Sequence, residues 1–142
     1  MRNVTILIVD DSAADRTSMR LAFERTGLPL RLHFAASGRA ALDMLAQKNG
    51  EDRALRPHLM IVDVKMPGIS GLDLLQTLKA DPSLLPIPVL MFSGSDDQND
   101  VVAGYRNFAS GYIVKPLDAG GLGEVAELVG RLCTNVLAFP ER

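Results

Sequence analysis

The chain of 142 residues contains no tryptophan, a single cysteine and only two histidines. One cysteine, Cys133, excludes an internal disulfide and is typical of a protein from a reducing compartment. We expect this thiol to be a small buried residue of the last helix. His33 and His58 are isolated and lack partners at metal-ligand spacing, so the sequence predicts no histidine-based metal site.

The sequence also lacks a strong charge of either sign and any long apolar run. A net charge of −2 excludes a basic surface for nucleic acid or for an acidic membrane. No apolar run is long enough to span a bilayer, and the opening MRNVTILIVDDS is too short and too acidic for a secretory signal. We therefore predict a cytosolic protein that has no membrane segment and does not bind nucleic acid.

Strand and helix patterns alternate along the whole chain. Val4–Val9 is a continuous apolar run, which is typical of a strand buried on both faces. Similar patterns predict four further strands, at Leu30–Ala35, Leu59–Val62, Pro88–Phe92 and Gly111–Val114. A helical pattern follows each strand, and the last one runs from about Asp118 to Asn135. This alternation predicts one doubly wound α/β domain over 1–142, with a five-stranded parallel sheet, five helices, a core over about 4–135 and a tail over 136–142.

Polar and charged side chains stand where four of the predicted strands end. In chain order they are Asp10 and Asp11, then Asp63, Ser93 and Lys115. The carboxyl ends of parallel strands lie along one edge of a sheet, which is where such folds bind ligands. If the strand order reverses between the first and third strands, the three carboxylates converge at that point.

Three carboxylates in one crevice repel one another, so a cation is expected to balance them. Mg²⁺ fits because it binds few protein oxygens and keeps several waters. Lys115 adds a positive charge and Ser93 a hydroxyl donor. Such cations neutralise the oxygens of a phosphoryl group while a carboxylate attacks the phosphorus in line. The residues therefore predict a site that handles a phosphoryl group.

Four segments resemble the receiver domains of bacterial response regulators in their order and spacing: ILIVDDS, LMIVDVKMPGISG, VLMFSGS and GYIVKP. The resemblance implies a flavodoxin-like fold with sheet order 2-1-3-4-5. It also implies a stand-alone regulator of a two-component system, which accepts a phosphoryl group from a histidine kinase. Three further features resemble the single-domain regulators associated with bacterial phytochrome kinases: the polar stretch Lys48–Arg56, the segment LKADPSLLPIPVL and the apolar tail.

The resemblance assigns a role to each residue of the acidic cluster. Asp63 is the expected phospho-acceptor, and Asp11 is the expected direct ligand of Mg²⁺ with Asp10 as its acidic neighbour. The backbone carbonyl of Lys65 is expected to be a further metal ligand. A lysine side chain stands here where some members of the family carry asparagine.

The resemblance also implies how the phosphoryl group is sensed. Ser93 is expected to hydrogen-bond to it and Lys115 to pair with it. Tyr112 is expected to change rotamer on activation, so that Ser93 and Tyr112 together form the switch. The Lys115–Pro116 bond is expected to be cis, which the energetics of X-Pro bonds permit.

Three other functions remain as alternatives. A pseudo-receiver that acts as a binding module is expected to have lost Asp63 or Lys115, and both are present. A Mg²⁺-dependent phosphatase of the haloacid dehalogenase type needs a second carboxylate two residues after its aspartyl nucleophile, where this chain has Lys65. A flavodoxin-like cofactor binder needs a phosphate-binding glycine loop after the first strand, where Asp10 and Asp11 stand.

The last helix carries more apolar residues than one sheet-facing side can hold: Leu122, Val125, Ala126, Leu128, Val129, Leu132 and Cys133. Such a surplus indicates a protein contact. Val101, Val102, Tyr105 and the tail Val136–Phe139 can extend the same surface. We predict a homodimer through the fourth helix, fifth strand and fifth helix. The alternative is that the tail itself buries this helix.

Overall fold

The computed structural model describes residues 2–46 and 54–140, in which five strands alternate with five α-helices. The strands are β1 (Val4–Val9), β2 (Leu30–Ala35), β3 (Leu59–Val62), β4 (Val89–Ser93) and β5 (Gly111–Val114). The helices are α1 (Ala13–Glu24), α2 (Gly38–Ala46), α3 (Gly71–Ala80), α4 (Gln98–Arg106) and α5 (Ala119–Arg131), and a π-helical turn (Leu132–Val136) follows α5. Most of the polar stretch predicted before the third strand, residues 48–53, lies outside the described residues.

The five strands form one parallel sheet in the order β2-β1-β3-β4-β5, which confirms the predicted fold and order. The order reverses at β1, whose neighbours are β2 and β3. Val9 of β1 stands beside Val62 of β3, and the Asp63 N–H donates to the Val9 carbonyl at 2.9 Å. Because this register aligns the two strand ends, Asp10 and Asp63 leave the sheet at the same level.

Helices cover both faces of the sheet, which explains why β1 is apolar throughout. Ile6 and Ile8 pack against α1 and α5, whereas Leu7 and Val9 pack against α2 and α3. Each of these four side chains is almost completely buried. Cys133 is buried with the α1–α5 group, and burial raises the pKa of its thiol to about 11. It therefore remains a protonated core residue at neutral pH, as predicted.

Serine side chains fix the starts of two helices close to the strand ends. The Ser12 hydroxyl accepts the Asp15 N–H at the start of α1. At α3, Ser70 accepts the Asp73 N–H while the Asp73 carboxylate accepts the Ser70 N–H, which forms a capping box. These caps satisfy backbone donors that a helix leaves unpaired at its N-terminus. They thereby fix the point at which each helix leaves its loop.

The last helix departs from the prediction because its α-helical part ends at Arg131. The chain continues as a π-helical turn, in which the Thr134 hydroxyl donates to the Gly130 carbonyl. The guanidinium of Arg2 donates two hydrogen bonds to the Cys133 carbonyl, each of 3.1 Å. This distant side chain thus satisfies a carbonyl of the turn. Among the described residues, no helix is long and apolar enough to cross a membrane.

Candidate functional site

Asp10, Asp11 and Asp63 meet at the carboxyl edge of the sheet. One carboxylate oxygen of each residue lies within 4.8 Å of the corresponding oxygens of the other two. Asp10 and Asp63 are buried, whereas Asp11 is exposed. The site is therefore negatively charged, with two buried carboxylates, and it is open to solvent at Asp11.

The ammonium group of Lys115 lies in the same pocket. Its Nζ is 2.8 Å from Asp10 Oδ2 and 3.5 Å from Asp63 Oδ2. A further carboxylate, that of Asp15 in the first turn of α1, lies 2.9 Å from the same nitrogen. Asp15 was not among the residues predicted from the sequence, although an acid in the first turn of the helix that follows Asp10 was an available signal. Lys115 is thus shared among three carboxylates.

Burial and charge act in opposite directions on the titration of this cluster. Burial raises the pKa of the Asp63 carboxyl, the Lys115 charge opposes this rise, and the Asp10 charge adds to it. Burial acts to lower the pKa of Lys115, but hydrogen bonds to Asp10 and Asp15 more than offset it, so the pKa is raised. Lys115 therefore remains charged, and a single ammonium faces the three carboxylates that it contacts together with the neighbouring Asp11.

The cluster fits a divalent cation. When ionised, the carboxylates of Asp10, Asp11, Asp15 and Asp63 carry four negative charges against one on Lys115, which leaves three uncompensated. An octahedral Mg²⁺ with bonds of about 2.0–2.1 Å places its ligand oxygens roughly 3–4 Å apart. The observed spacing needs only small adjustments to reach that geometry. Hard carboxylate oxygens are also the ligand type that such ions prefer. The grouped aspartates are therefore consistent with a divalent metal site.

The loop after β3 is held close to Asp63 by a glycine at the start of α3. A Cβ added to Gly71 would lie 1.9 Å from the backbone oxygen of Asp63, so no side chain fits there. The Gly71 N–H donates to the Val64 carbonyl at 2.8 Å, and Gly68 has a left-handed φ of +75°. This loop contains Lys65, whose side chain is exposed. The metal-ligand role of its carbonyl stays a prediction.

Ser93 and Tyr112 are connected through the loop that follows β4. Ser93 is buried at the end of the strand, and its hydroxyl accepts the Ser95 N–H at 3.2 Å. The Tyr112 hydroxyl donates to the Ser95 carbonyl at 2.8 Å. Burial raises the pKa of Tyr112, so the phenol remains a donor at neutral pH. The structure thus places Tyr112 against the loop that starts at Ser93, and the switching role of both residues stays a prediction.

Comparison with known proteins identifies the family. Residues 6–127 match the response regulator receiver domain. The chain belongs to this family. The response regulator Rcp1 of Synechocystis is 30% identical to this receiver domain over 135 residues, which cover 95% of this chain and 92% of Rcp1. The chemotaxis protein CheY-3 of Vibrio cholerae is 33% identical over 123 residues, which cover 87% of this chain and 88% of CheY-3.

Solved structures of similar receiver domains agree with this fold. The phosphorylated cyanobacterial phytochrome response regulator RcpA superimposes with a TM-score of 0.91 at 25% identity, covering 99% of this chain and 100% of RcpA. The Mn²⁺-bound form of Rcp1 superimposes with a TM-score of 0.88 at 25% identity, covering 97% and 99%. The predicted resemblance to receiver domains is therefore confirmed, including the likeness to phytochrome response regulators.

Membership of the receiver family indicates the general function of this chain and disfavours two of the alternatives. Receiver domains are signalling switches, are partners of histidine kinases and bind Mg²⁺ or Mn²⁺ at an acidic cluster such as the one formed here. The comparisons do not favour the phosphatase or pseudo-receiver alternatives.

One backbone feature implied by the resemblance is wrong in this structure. The described residues contain no cis peptide bond, so Lys115–Pro116 is trans. The trans isomer is intrinsically favoured at X-Pro bonds by about 0.5–1 kcal/mol. The Lys115 N–H still donates to the Ser93 carbonyl at 2.8 Å, so the end of β5 stays paired with β4 in this isomer.

Proposed function

We propose that this receiver domain is a stand-alone response regulator that accepts a phosphoryl group from a histidine kinase on Asp63, with Mg²⁺ bound. The observation that carries the proposal is the meeting of Asp10, Asp11 and Asp63 with the Lys115 ammonium at one sheet edge. Rcp1, which this chain covers almost completely, supports the stand-alone role for the unit 1–142.

The proposed reaction is an in-line displacement at phosphorus. A carboxylate oxygen of Asp63 forms the new P–O bond, the P–N bond of phosphohistidine breaks, and its electron pair leaves with the imidazole nitrogen. Asp11, Asp63 and the Lys65 carbonyl are the proposed ligands of Mg²⁺, with Asp10 beside them. When bound, the metal offsets negative charge on the carboxylates and on the phosphoryl oxygens.

The Lys115 ammonium and the Ser93 hydroxyl are the proposed donors to the phosphoryl oxygens. A charged donor is the stronger of the two. Ser93 is continuous with the loop to which Tyr112 is hydrogen-bonded. A shift of Ser93 toward the phosphoryl group therefore alters the contact of Tyr112, and with it the surface formed by α4, β5 and α5. This is a two-state element biased by a local charge.

We expect incubation of the protein with acetyl phosphate and Mg²⁺ to add the mass of one phosphoryl group. Asp63→Asn should remove the adduct, because an amide oxygen cannot form the acyl phosphate. Intact-mass spectrometry of both proteins, with and without EDTA, makes the measurement. An adduct of equal yield on Asp63→Asn, or one that forms equally in EDTA, contradicts the proposal.

Exposed apolar side chains on α4, β5 and α5 and in the turn between α4 and β5 support a homodimer. These side chains, called here the α4–β5–α5 surface, are Val102, Tyr105, Phe108, Val114 and Leu128. Phe108 is 73% exposed and has a left-handed φ of 70°, which is uncommon for a bulky residue. Leu128 remains 63% exposed in the presence of the tail. The tail therefore leaves Leu128 uncovered, so the last helix is not fully buried, contrary to the alternative considered from the sequence.

We expect the wild-type protein to sediment as a dimer at tens of micromolar and Leu128→Glu to sediment as a monomer, because a carboxylate buried in an apolar contact has no partner. Leu85→Glu is the matched control, since Leu85 is 49% exposed in the segment between α3 and β4, outside the α4–β5–α5 surface. A monomeric wild type, or equal dissociation of both variants, argues against this interface.

The proposed partner is a sensor histidine kinase of the phytochrome type. RcpA is described as a phytochrome response regulator, and it superimposes on nearly the whole of this chain. A cytosolic location forms part of the proposal and agrees with the single, buried thiol of Cys133.

A further inference from the structure

The ammonium of Lys115 makes its shortest contacts to carboxylates other than the proposed acceptor. Its hydrogen bonds to Asp10 and Asp15 measure 2.8 and 2.9 Å, whereas its distance to Asp63 Oδ2 is 3.5 Å. An ammonium has three donors, and the two hydrogen bonds to Asp10 and Asp15 fix the position from which its third donor faces Asp63. Lys115 is therefore held toward α1 and away from the atom that the proposed reaction modifies.

Asp15 differs from the other two carboxylates in its surroundings. Its side chain is 47% exposed, compared with 2% for Asp10 and 11% for Asp63. It does not belong to the group of three aspartates that can hold a metal. The cap at Ser12 fixes its backbone in the first turn of α1, so its carboxylate is aimed at the sheet edge by the helix.

These differences determine which hydrogen bond Lys115 can give up at least cost. Asp10 is buried and also accepts the Ser12 N–H at 2.9 Å, so loss of its cation would leave a buried charge. Asp15 can be hydrated as soon as the ammonium leaves, because nearly half of its side chain already faces solvent. An exposed ion pair is correspondingly weak.

We propose that Asp15 is a positioning residue that holds Lys115 back from Asp63 and releases it when a phosphoryl group is present. This inference rests on the proposed function of Asp63. Asp15 competes with the phosphoryl oxygens for one ammonium and so opposes the phosphorylated state. It acts through Lys115 and touches neither the metal ligands nor the phosphorus.

Beryllium fluoride with Mg²⁺, used as a mimic of the phosphoryl group, tests this competition. We expect Asp15→Ala to bind it about fivefold more tightly than wild type, as expected for removal of a weak, half-exposed ion pair. Asp15→Asn, which keeps a neutral acceptor, should fall between the two. Glu24→Ala is the matched control, because Glu24 is an exposed acid at the opposite end of α1 from Asp15 and should leave the affinity unchanged. Backbone amide NMR shifts during titration provide the affinities.

A second measurement distinguishes positioning through Lys115 from a general loss of negative charge. In metal-free protein labelled with ¹⁵N at lysine, the Lys115 ammonium should exchange with water faster in Asp15→Ala than in wild type, and Glu24→Ala should not change this rate. In a Lys115→Met background, Asp15→Ala should no longer alter the affinity for beryllium fluoride. If the Lys115→Met protein does not fold, the exchange rate of the Lys115 ammonium in Asp15→Ala still shows whether Asp15 acts through Lys115.

The possible failures are distinguishable. An Asp15→Ala affinity within twofold of wild type, or an unchanged ammonium exchange rate, overturns the role of Asp15 while leaving the proposed function intact. A wild-type protein that binds no beryllium fluoride in the presence of Mg²⁺ overturns the proposed function, and the metal-free exchange measurement still reports whether Asp15 holds Lys115.

Discussion

Replacement of Gly71 by alanine is expected to lower the free energy of unfolding by about 3 kcal/mol, the upper range for overpacking a buried site. The added methyl would lie 1.9 Å from the backbone oxygen of Asp63 and 2.8 Å from its carbonyl carbon. Backbone atoms cannot rotate away as a flexible side chain can, so α3 or the end of β3 must move. Urea denaturation monitored by circular dichroism measures the loss.

Gly123→Ala provides a matched control for Gly71→Ala. Gly123 lies within α5, and a Cβ there meets no other atom within 4 Å. Alanine in an unhindered helical position should therefore stabilise the protein by about 0.5–1 kcal/mol. Equal stability of Gly71→Ala and wild type would show that α3 does not approach the backbone of Asp63 this closely.

Because the strain falls on Asp63 itself, Gly71→Ala should also slow phosphorylation by acetyl phosphate.

Replacement of Lys115 by methionine is expected to cost about 3 kcal/mol of stability at neutral pH without Mg²⁺, as for other broken buried ion pairs. The substitution leaves the Asp10 carboxylate, whose side chain is 2% exposed, without the ammonium that pairs with it. The neighbouring carboxylate of Asp63 loses the same positive charge. Methionine keeps most of the volume of the lysine stem, so packing changes little. Lys115→Arg keeps the charge and should retain more of the stability.

The cost of Lys115→Met should depend on pH and on metal in a defined direction. Burial already raises the pKa of Asp63 in the folded protein, and Lys115 opposes that rise, so its removal raises this pKa further. When the pKa of a carboxyl is higher in the folded than in the unfolded protein, its contribution to the free energy of unfolding is fully present below the unfolded-state pKa. That contribution is lost as the pH rises through the folded-state pKa. The penalty should therefore shrink on acidification, and it should also shrink in Mg²⁺, which replaces the lost positive charge. A penalty that does not change with pH or with Mg²⁺ would contradict this account.

The strands could be predicted closely because each is a local pattern. The bounds of β1, at Val4–Val9, follow from an apolar run that must be buried on both faces, and polar residues follow it at once. The strand-end positions of Asp10, Asp63 and Lys115 follow in the same way. The regular alternation of strand and helix patterns predicted a parallel sheet, and the resemblance to receiver domains supplied its order.

Contacts between distant segments could not be predicted in this way. The change from α-helix to π-helical turn after Arg131 accompanies hydrogen bonds from Arg2, which lies at the other end of the chain. The trans bond before Pro116 and the left-handed φ of Phe108 could not be predicted either, because the local sequence permits more than one conformation at each position. Their energies differ by only a few kcal/mol, which tertiary packing can override.

The sequence by itself determined the chemistry available at the sheet edge: three aspartates, a serine and a lysine that lie at or directly after the ends of strands of one parallel sheet. The tertiary structure alone decided how these groups are shared. Asp15 and Lys115 are separated by 100 residues, and they meet only because the Lys115 side chain reaches from the end of β5 to the first turn of α1. Gly71 is essential only because α3 starts against the backbone of Asp63. The local apolar pattern sets where each strand ends and therefore which side chains lie at the sheet edge. The distances between those side chains depend on how the helices pack against the sheet.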